Sequence, residues 1–224
     1  MEDKRFIRVT GKGNLKVKPD VTRISITLDG CYEVYEEALR RSSEDTESLK
    51  DLLENLGFAR EDVKTRSFHV NTKYESYQDK DTCWKERFVG YEFRHELKVE
   101  FDSDNARLGK VLYALANAEK IKPEFRLSYT VKDKEASKNE LLGKAVEDAK
   151  AKAAVLTAAA GVRLVRIQSI DYSWGEINFE CSPMRDGFNA LPMMARKTEG
   201  AYDMDIEPDD IEVSDTVTVV WEII

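Results

Sequence analysis

The sequence has no long hydrophobic run: nowhere do about 18 apolar residues follow one another, the length that a membrane-spanning helix needs. The opening residues, MEDKRFIRVTGKG, also lack the apolar segment of a secretory signal peptide. We therefore expect no transmembrane segment and a cytoplasmic protein, although a trimmed form of an envelope protein would begin in the same way.

Histidine and cysteine are scarce. The chain has two histidines, His69 and His95, and three cysteines, Cys31, Cys83 and Cys181. An odd number of widely separated cysteines favours reduced thiols over a disulfide framework. None of these residues has the close spacing that marks a zinc site, so we expect no metal site and no cofactor.

Local catalytic motifs are also missing. No P-loop, Gly-x-Ser-x-Gly or His-Glu-x-x-His arrangement occurs, so the sequence predicts no catalytic residues and no enzyme. A cysteine–histidine pair that the fold assembles stays open. His95 falls on the apolar face of its strand, where we expect a buried and hydrogen-bonded histidine, whereas His69 is expected to point to solvent.

The charge balance is acidic, with a net charge of -8 and a pI of about 5.1. Nucleic-acid backbones require a basic face, so we expect no nucleic-acid partner. An acidic run from Asp203 to Asp210 lacks the glycine and glutamate spacing of a calcium loop, and we expect a solvated turn there.

Two glycines near the start, Gly11 and Gly13 in VTGKGNLKVKPDV, admit two interpretations. A glycine-rich phosphate site needs the N-terminus of a helix after it. The following residues instead alternate apolar Ile24, Ile26 and Leu28 with polar neighbours, which is typical of a half-buried strand. We therefore expect a structural role for both glycines, either at a bulge or at a close backbone contact.

The rest of the chain alternates strands with helices. Residues Gly90 to Phe101 form the clearest strand, and helices are predicted for 33–56, from the cap Ser103 to 119, and 134–160. In LVRIQSIDYSW the apolar phase changes between Ile167 and Ile170, and a last strand starts at Ile211. This order predicts an α+β fold of duplicated strand–helix–strand units, with largely antiparallel sheets and helices packed on one face. The division expected is a single domain, 1–224, with two halves of about 1–89 and 90–224.

One segment, SPMRDGFNALPMMARK, has no periodicity but is rich in apolar residues. Long loops without secondary structure are often functional, and methionine-rich surfaces suit adaptable contacts. The loop folding back on its own core is the alternative. We take its apolar side chains as the candidate contact of a homo-oligomer: Met184, Phe188, Leu191, Met193 and Met194.

Five stretches in this order resemble the SIMPL-domain family over residues 6–224. They are VTGKGNLKVKPDVTRISI, LGFAREDVKTRSFHVNTKY, GYEFRHELKV, AVEDAKAKAAVLTAAAGV and IEPDDIEVSDTVTVVWEI. The resemblance implies an α+β fold, no established enzyme activity and no catalytic residues to transfer. It also implies that some relatives form large ring- or channel-like homo-oligomers and that others are linked to stress tolerance. Many bacterial relatives carry a secretion signal that these opening residues do not resemble, so we do not expect an envelope role.

Two functions are therefore compatible with the sequence. The first is a non-enzymatic self-assembling or protein-interaction protein. The second is a small-molecule or peptide-binding module, or a cryptic hydrolase, with a pocket between sheet and helices that uses His95, Tyr91 or Cys83. A large symmetric assembly would favour the first function, and a monomer with a deep polar pocket would favour the second.

Overall fold

The structure is a computed structural model that describes residues 4–78, 84–172, 175–183, 197–198, 201–202 and 206–224. Within them the three α-helices are α1 Tyr35–Glu54, α2 Asn105–Ala116 and α3 Lys134–Ala160, and a turn of 3-10 helix spans Arg60–Asp62. The long strands are β1 Arg5–Val17, β2 Val21–Tyr32, β3 Lys64–Gln78, β4 Trp84–Asp102, β5 Glu124–Thr130, β6 Leu164–Asp171 and β10 Ile211–Ile223. Three two-residue strands complete the order: β7 Glu180–Cys181, β8 Lys197–Thr198 and β9 Ala201–Tyr202. The α+β class predicted from the sequence is confirmed.

The chain forms two compact units, and neither is a continuous half of the sequence. The first unit combines Met1–Asp20, Thr130–Cys181 and Asp209–Ile224, and the second combines Val21–Tyr129 with Ser182–Pro208. The boundary expected between residues 89 and 90 therefore lies inside β4, at a place where the strand is unbroken.

The first unit is an antiparallel sheet in the order β1-β10-β6 with α3 on one face. β1 and β10 pair without interruption from Arg5 opposite Ile223 to Val17 opposite Ile211. On the α3 face, apolar strand residues meet small residues of the helix, and the buried members are Val9, Ala145, Ala149, Ala153, Val217, Val219 and Trp221. The opposite face of the sheet carries polar side chains, which explains the strict alternation in sequence.

Gly11 and Gly13 form the closest contact between β1 and α3. A methyl group built on Gly11 would lie 2.0 Å from the carbonyl oxygen of Ala145, and one built on Gly13 would lie 2.2 Å from that of Leu141. The pairing of β1 with β10 contains no bulge. Of the two structural roles predicted, close backbone contact is therefore the correct one, and Lys12 between the glycines donates its backbone N–H to Asp148 of α3 at 2.7 Å.

The phase change predicted in β6 is a bulge. Ile170 lies opposite Val219 and Ile167 lies opposite Trp221, so the strand gains one residue relative to β10 between these pairs. Because opposed residues share a face, both isoleucines lie on the α3 side of the sheet although they are three positions apart.

The second unit is built around β4. The strand order is β3-β4-β2-β5, and β2 pairs with β4 from Val21 opposite Asp102 to Tyr32 opposite Tyr91. The predicted apolar face is confirmed, with Phe93, Leu97, Val99 and Phe101 all buried. α1 packs on β2 and β4 and contributes its own buried residues, among them Leu49 and Leu53.

The helices begin and end close to the predicted positions. α3 spans the predicted 134–160 and ends at Gly161, whose φ of 68° is left-handed. α1 and α2 are shorter than predicted, and α2 is capped by Asp104 rather than Ser103, since the Asp104 carboxylate accepts from the backbone N–H groups of Ala106 and Arg107. The buried face of α3 consists of Leu141, Ala145, Ala149, Ala153 and Thr157, whereas Leu156 is half-exposed.

Candidate functional site

The predicted oligomer contact cannot be placed. Met184, Phe188, Leu191, Met193 and Met194 all lie outside the described residues. Apolar side chains are also exposed in the parts of each unit that the structure describes.

One such surface lies on the hairpin of β3 and β4. β2 pairs with β4 only as far as Tyr91, so residues 84–90 of β4 pair with residues 73–78 of β3 and with no other described strand. We call this two-stranded extension the aromatic ribbon. Isolated two-stranded hairpins are marginally stable in water, so a ribbon of this length gains from contact with another surface.

One face of the aromatic ribbon carries large aromatic side chains. Tyr74 lies opposite Phe88, and Gln78 lies opposite Trp84, which places all four side chains on the same face. Trp84 is 72% exposed, Tyr74 is 55% exposed and Phe88 is 44% exposed. The other face is more polar and bears the Glu75–Arg87 ion pair beside Tyr77.

The aromatic side chains continue from the ribbon to the start of α1. Tyr74 contacts Phe88 edge-to-face with ring centroids 5.7 Å apart, Phe88 contacts Tyr91 at 5.3 Å, and Tyr91 contacts Tyr35 at 5.4 Å. Tyr35 is the first residue of α1 and remains exposed, as does Val34 before it. The sheet face that α1 covers therefore continues beyond the N-terminal end of the helix, and its side chains there are still aromatic.

Gly90 lies at the base of the ribbon. Its φ is 156°, and a side chain there would come within 2.4 Å of the carbonyl oxygen of Tyr32. Beside it, the pairing slips by one residue between Lys73 and Tyr74. Bulges re-aim the side chains beyond them, so the direction of the ribbon is set by Gly90 and this slip.

His95 is held in a polar contact within the second unit. Its Nδ1 lies 3.0 Å from the hydroxyl of Thr46 on α1, and its Nε2 lies 2.9 Å from the hydroxyl of Thr65 on β3. The ring of Phe68 packs against it edge-to-face. Burial, and then the charge of Lys50, lowers the pKa of His95, so the neutral imidazole is favoured. The predicted hydrogen-bonded histidine is confirmed, although it is half-buried, and His69 is exposed as expected.

The described cysteines do not resemble activated nucleophiles. The thiol of Cys181 lies 3.5 Å from the carbonyl oxygen of Asp209, and burial, followed by the charge of Asp209, raises its pKa. Catalytic cysteines have a lowered pKa. Cys31 lies exposed on β2 opposite Glu92, and Cys83 is outside the described residues.

The described part of the chain contains no group of three or more histidine, cysteine, aspartate or glutamate side chains that could hold a metal ion. It also contains no helix long and apolar enough to cross a membrane. Within the acidic run, Asp203 and Asp205 are outside the described residues.

The polar face of the second sheet contains a small cavity that the sequence did not indicate. It has a volume of about 290 Å³ and lies among three arginines, two glutamates and two hydroxyl groups. The arginines come from different strands: Arg66 from β3, Arg94 from β4 and Arg126 from β5. The periodicity of the sequence could not reveal this group, because the three arginines lie on different strands and come together only when those strands assemble into the sheet.

The described residues thus define an α+β protein with an exposed aromatic hairpin on one of its sheets. The chain belongs to the SIMPL family, described as a protein of unknown function (DUF541), whose model matches residues 7–221. This confirms the resemblance found in the sequence.

Two curated relatives are also similar to the chain. Both are named 26 kDa periplasmic immunogenic protein, one from Brucella melitensis and one from Brucella abortus. Each is 26% identical over 164 residues, which cover 73% of this chain and 65% of the relative. The aligned region therefore spans slightly less than two thirds of these relatives.

Proposed function

We propose that this protein is a non-enzymatic, self-assembling protein that uses the aromatic ribbon as a contact surface between copies. The observation that carries the proposal is the row of exposed aromatic side chains, Trp84, Tyr74 and Phe88, on a two-stranded extension that has no other described partner. Aromatic residues are enriched in the energetic centres of protein interfaces, where they bury large areas at low entropic cost.

The exposed aromatic area is large enough to drive association. Aromatic side chains each bury about 150–250 Å², so the exposed fractions of Trp84, Tyr74 and Phe88 amount to roughly 400 Å². At about 25 cal/mol per Å², their burial would contribute on the order of 10 kcal/mol before the cost of association is subtracted. An exposed apolar patch of a few hundred Å² is often functional in soluble proteins.

The proposal of a non-enzymatic role rests on the side chains that could do chemistry. His95 is bonded on both ring nitrogens by threonine hydroxyls, and burial disfavours the thiolate of Cys181. Neither residue is arranged as the activated member of a nucleophile pair. Self-assembly also agrees with what the family resemblance implies.

The two Brucella relatives provide information on the cellular compartment of this protein. The expectation of a cytoplasmic protein rested on the first residues of the sequence and on the cysteine pattern, whereas the two relatives are named as periplasmic. We therefore favour an envelope location for this chain. Fractionation of cells that express the native gene would test this, and recovery of the protein with cytoplasmic markers would contradict it. A role in stress tolerance remains a prediction from the family resemblance.

Serine substitution on the two faces of the ribbon tests the function. The variant Tyr74→Ser/Trp84→Ser/Phe88→Ser removes the aromatic face, and we expect it to sediment as a smaller species than the wild type. Tyr77→Ser is the matched control, because it removes an aromatic side chain of 45% exposure from the other face of the same ribbon. Circular dichroism would show whether each variant is folded. Equal sedimentation of the wild type and a folded triple variant would contradict the proposal.

The arginine-lined cavity favours a second candidate function, the binding of a small anionic molecule. Guanidinium groups bind carboxylates and phosphates in bidentate geometry, and Arg66, Arg94 and Arg126 line one cavity. Calorimetric titration with citrate and with inorganic phosphate tests it. We expect binding that Arg66→Gln/Arg94→Gln abolishes and that Arg40→Gln on α1 leaves unchanged; no heat signal in the wild type would contradict it.

A further inference from the structure

β6 is an edge strand with an unusual amount of exposed apolar surface. Among the described residues it pairs only with β10, so no described strand takes up the backbone N–H and C=O groups on its other side. Val165, Ile167 and Ile170 are each more than half exposed. Exposed apolar edges of this kind are templates for pairing with a further strand, and natural proteins usually block them.

The other edge of the same sheet is blocked in this way. Asp148 of α3 binds the backbone N–H of Lys12 on β1, which takes up a donor on the open side of that strand. The exposed positions of β1 also carry cations, including Arg8, Lys12 and Lys16. Such charges discourage strand addition. β6 has no comparable protection in the described part of the chain, since its exposed residues include three apolar side chains and only Arg166 and Asp171 are charged.

The charges of β6 are placed symmetrically. Arg166 lies opposite Glu222, with which it forms an ion pair at 2.8 Å, and Asp171 lies opposite Thr218 and 3.9 Å from Arg8, so both side chains are on the face away from α3. Ile167 and Ile170 lie between them on the α3 face. Along the strand, Arg166 and Asp171 therefore flank Ile167 and Ile170. Because of the bulge, the two charged side chains share one face and the two isoleucines share the other.

We propose that β6 pairs antiparallel with β6 of a second copy around a two-fold axis that passes between residues 168 and 169. In this register Arg166 of each copy opposes Asp171 of the other, and Ile167 opposes Ile170. The pairing joins the two three-stranded sheets into one of six strands. This inference rests on the proposed self-assembly but concerns a different surface from the aromatic ribbon.

Charge complementarity selects a second copy of this chain as the partner. Opposite charges directly across an antiparallel pair stabilise it and like charges destabilise it. The strand carries one charge of each sign, equidistant from the proposed axis, so it is complementary to itself when reversed. A two-fold contact also closes after two copies, whereas pairing of β6 with the cationic β1 edge of another copy would continue without end.

Exchange of the two charges tests the register. Arg166→Asp places two aspartates opposite each other twice in the dimer, and Asp171→Arg places two arginines there. We expect each single variant to raise the dissociation constant of the dimer about tenfold or more in sedimentation equilibrium at low salt. An equimolar mixture of the two variants should recover wild-type association, because each copy then meets its complement. The double variant Arg166→Asp/Asp171→Arg should recover it alone.

The outcomes separate this inference from the ribbon proposal. The measurements are repeated in the Tyr74→Ser/Trp84→Ser/Phe88→Ser background, where association through β6 should leave a dimer. If single charge variants associate like the wild type, or if folded variants are not rescued by mixing, the β6 register is wrong, whatever the ribbon does. If the charge exchange behaves as expected but the ribbon variant leaves assembly unchanged, the ribbon proposal alone fails.

If a charge variant does not fold, a substitution at an apolar position of β6 tests the proposed pairing instead. Ile170→Glu places a carboxylate on the apolar face of β6, and Val155→Glu on α3 is its control, since Val155 is also exposed in the same unit. We expect dissociation with Ile170→Glu only. Equal association of both variants would overturn the inference.

Discussion

Replacement of Gly13 by alanine should destabilise the protein strongly, because β1 and α3 touch there through their backbones. The added methyl group would lie 2.2 Å from the carbonyl oxygen of Leu141 and 3.0 Å from the backbone nitrogen of Ala145. Real contacts of this kind are not shorter than about 3 Å, and a helix backbone cannot rotate away as a side chain can. The helix must shift along its whole contact with the sheet.

The expected cost is at the upper end of what overpacking produces, about 3 kcal/mol. Gly11→Ala should cost at least as much, since its methyl group would meet the carbonyl oxygen of Ala145 at 2.0 Å and the nitrogen of Ala149 at 2.4 Å. Urea unfolding followed by circular dichroism measures both, and the midpoint should fall while the slope stays the same.

Gly143 in α3 is the matched control. A methyl group added there has nothing within 4 Å, so only helix propensity changes. Gly143→Ala should therefore stabilise the protein by about 0.5–1 kcal/mol. Equal stability of Gly13→Ala and Gly143→Ala would contradict the close approach of β1 and α3. Specific nucleotide binding by the wild type that is lost in Gly13→Ala would support the phosphate-site interpretation instead.

Three further predictions concern the core, a histidine and the unplaced loop. Phe93→Ala should lower the unfolding free energy by about 3–5 kcal/mol because Phe93 is fully buried, whereas Lys98→Ala should change it by less than about 0.5 kcal/mol; equal effects in urea unfolding would contradict the faces of β4. The pKa of His95 is lower in the folded protein, so its contribution to stability is complete above about pH 6.5 and is lost as the pH falls through the folded value. Stability curves should therefore decline less between pH 7 and 5 in His95→Gln than in the wild type. If the sequence-predicted loop contact is correct, the folded chain should sediment as a smaller species after serine replaces three of its residues, Leu191, Met193 and Met194.

The elements that the sequence predicted best are those with one buried face. β4 alternates between core and solvent from Tyr91 to Phe101, and α3 follows a stripe of small residues to Gly161. Burial leaves a period in such segments, and the period is visible without the structure. The phase change in β6 was visible in the spacing of its apolar residues, since a bulge shifts the apolar positions by one.

The aromatic ribbon could not be predicted from a period. Strand character was expected only from Gly90 onward, whereas β4 begins at Trp84. Residues 73–78 and 84–88 are exposed on both faces, so polar and aromatic residues follow one another without alternation. The two compact units were hidden for another reason, because each joins segments far apart in the sequence and no local pattern records such contacts.

The position of β10 at the centre of its sheet has a consequence for the order of events during synthesis. β1 precedes the other described strands in the chain, whereas its strand partner Ile211–Ile223 follows all of them. A growing chain can complete most of the segment Val21–Tyr129 while β1 still lacks its partner. A ribosome that stops before residue 211 would therefore release a product in which one sheet has no middle strand, and such products would be substrates for proteases and chaperones.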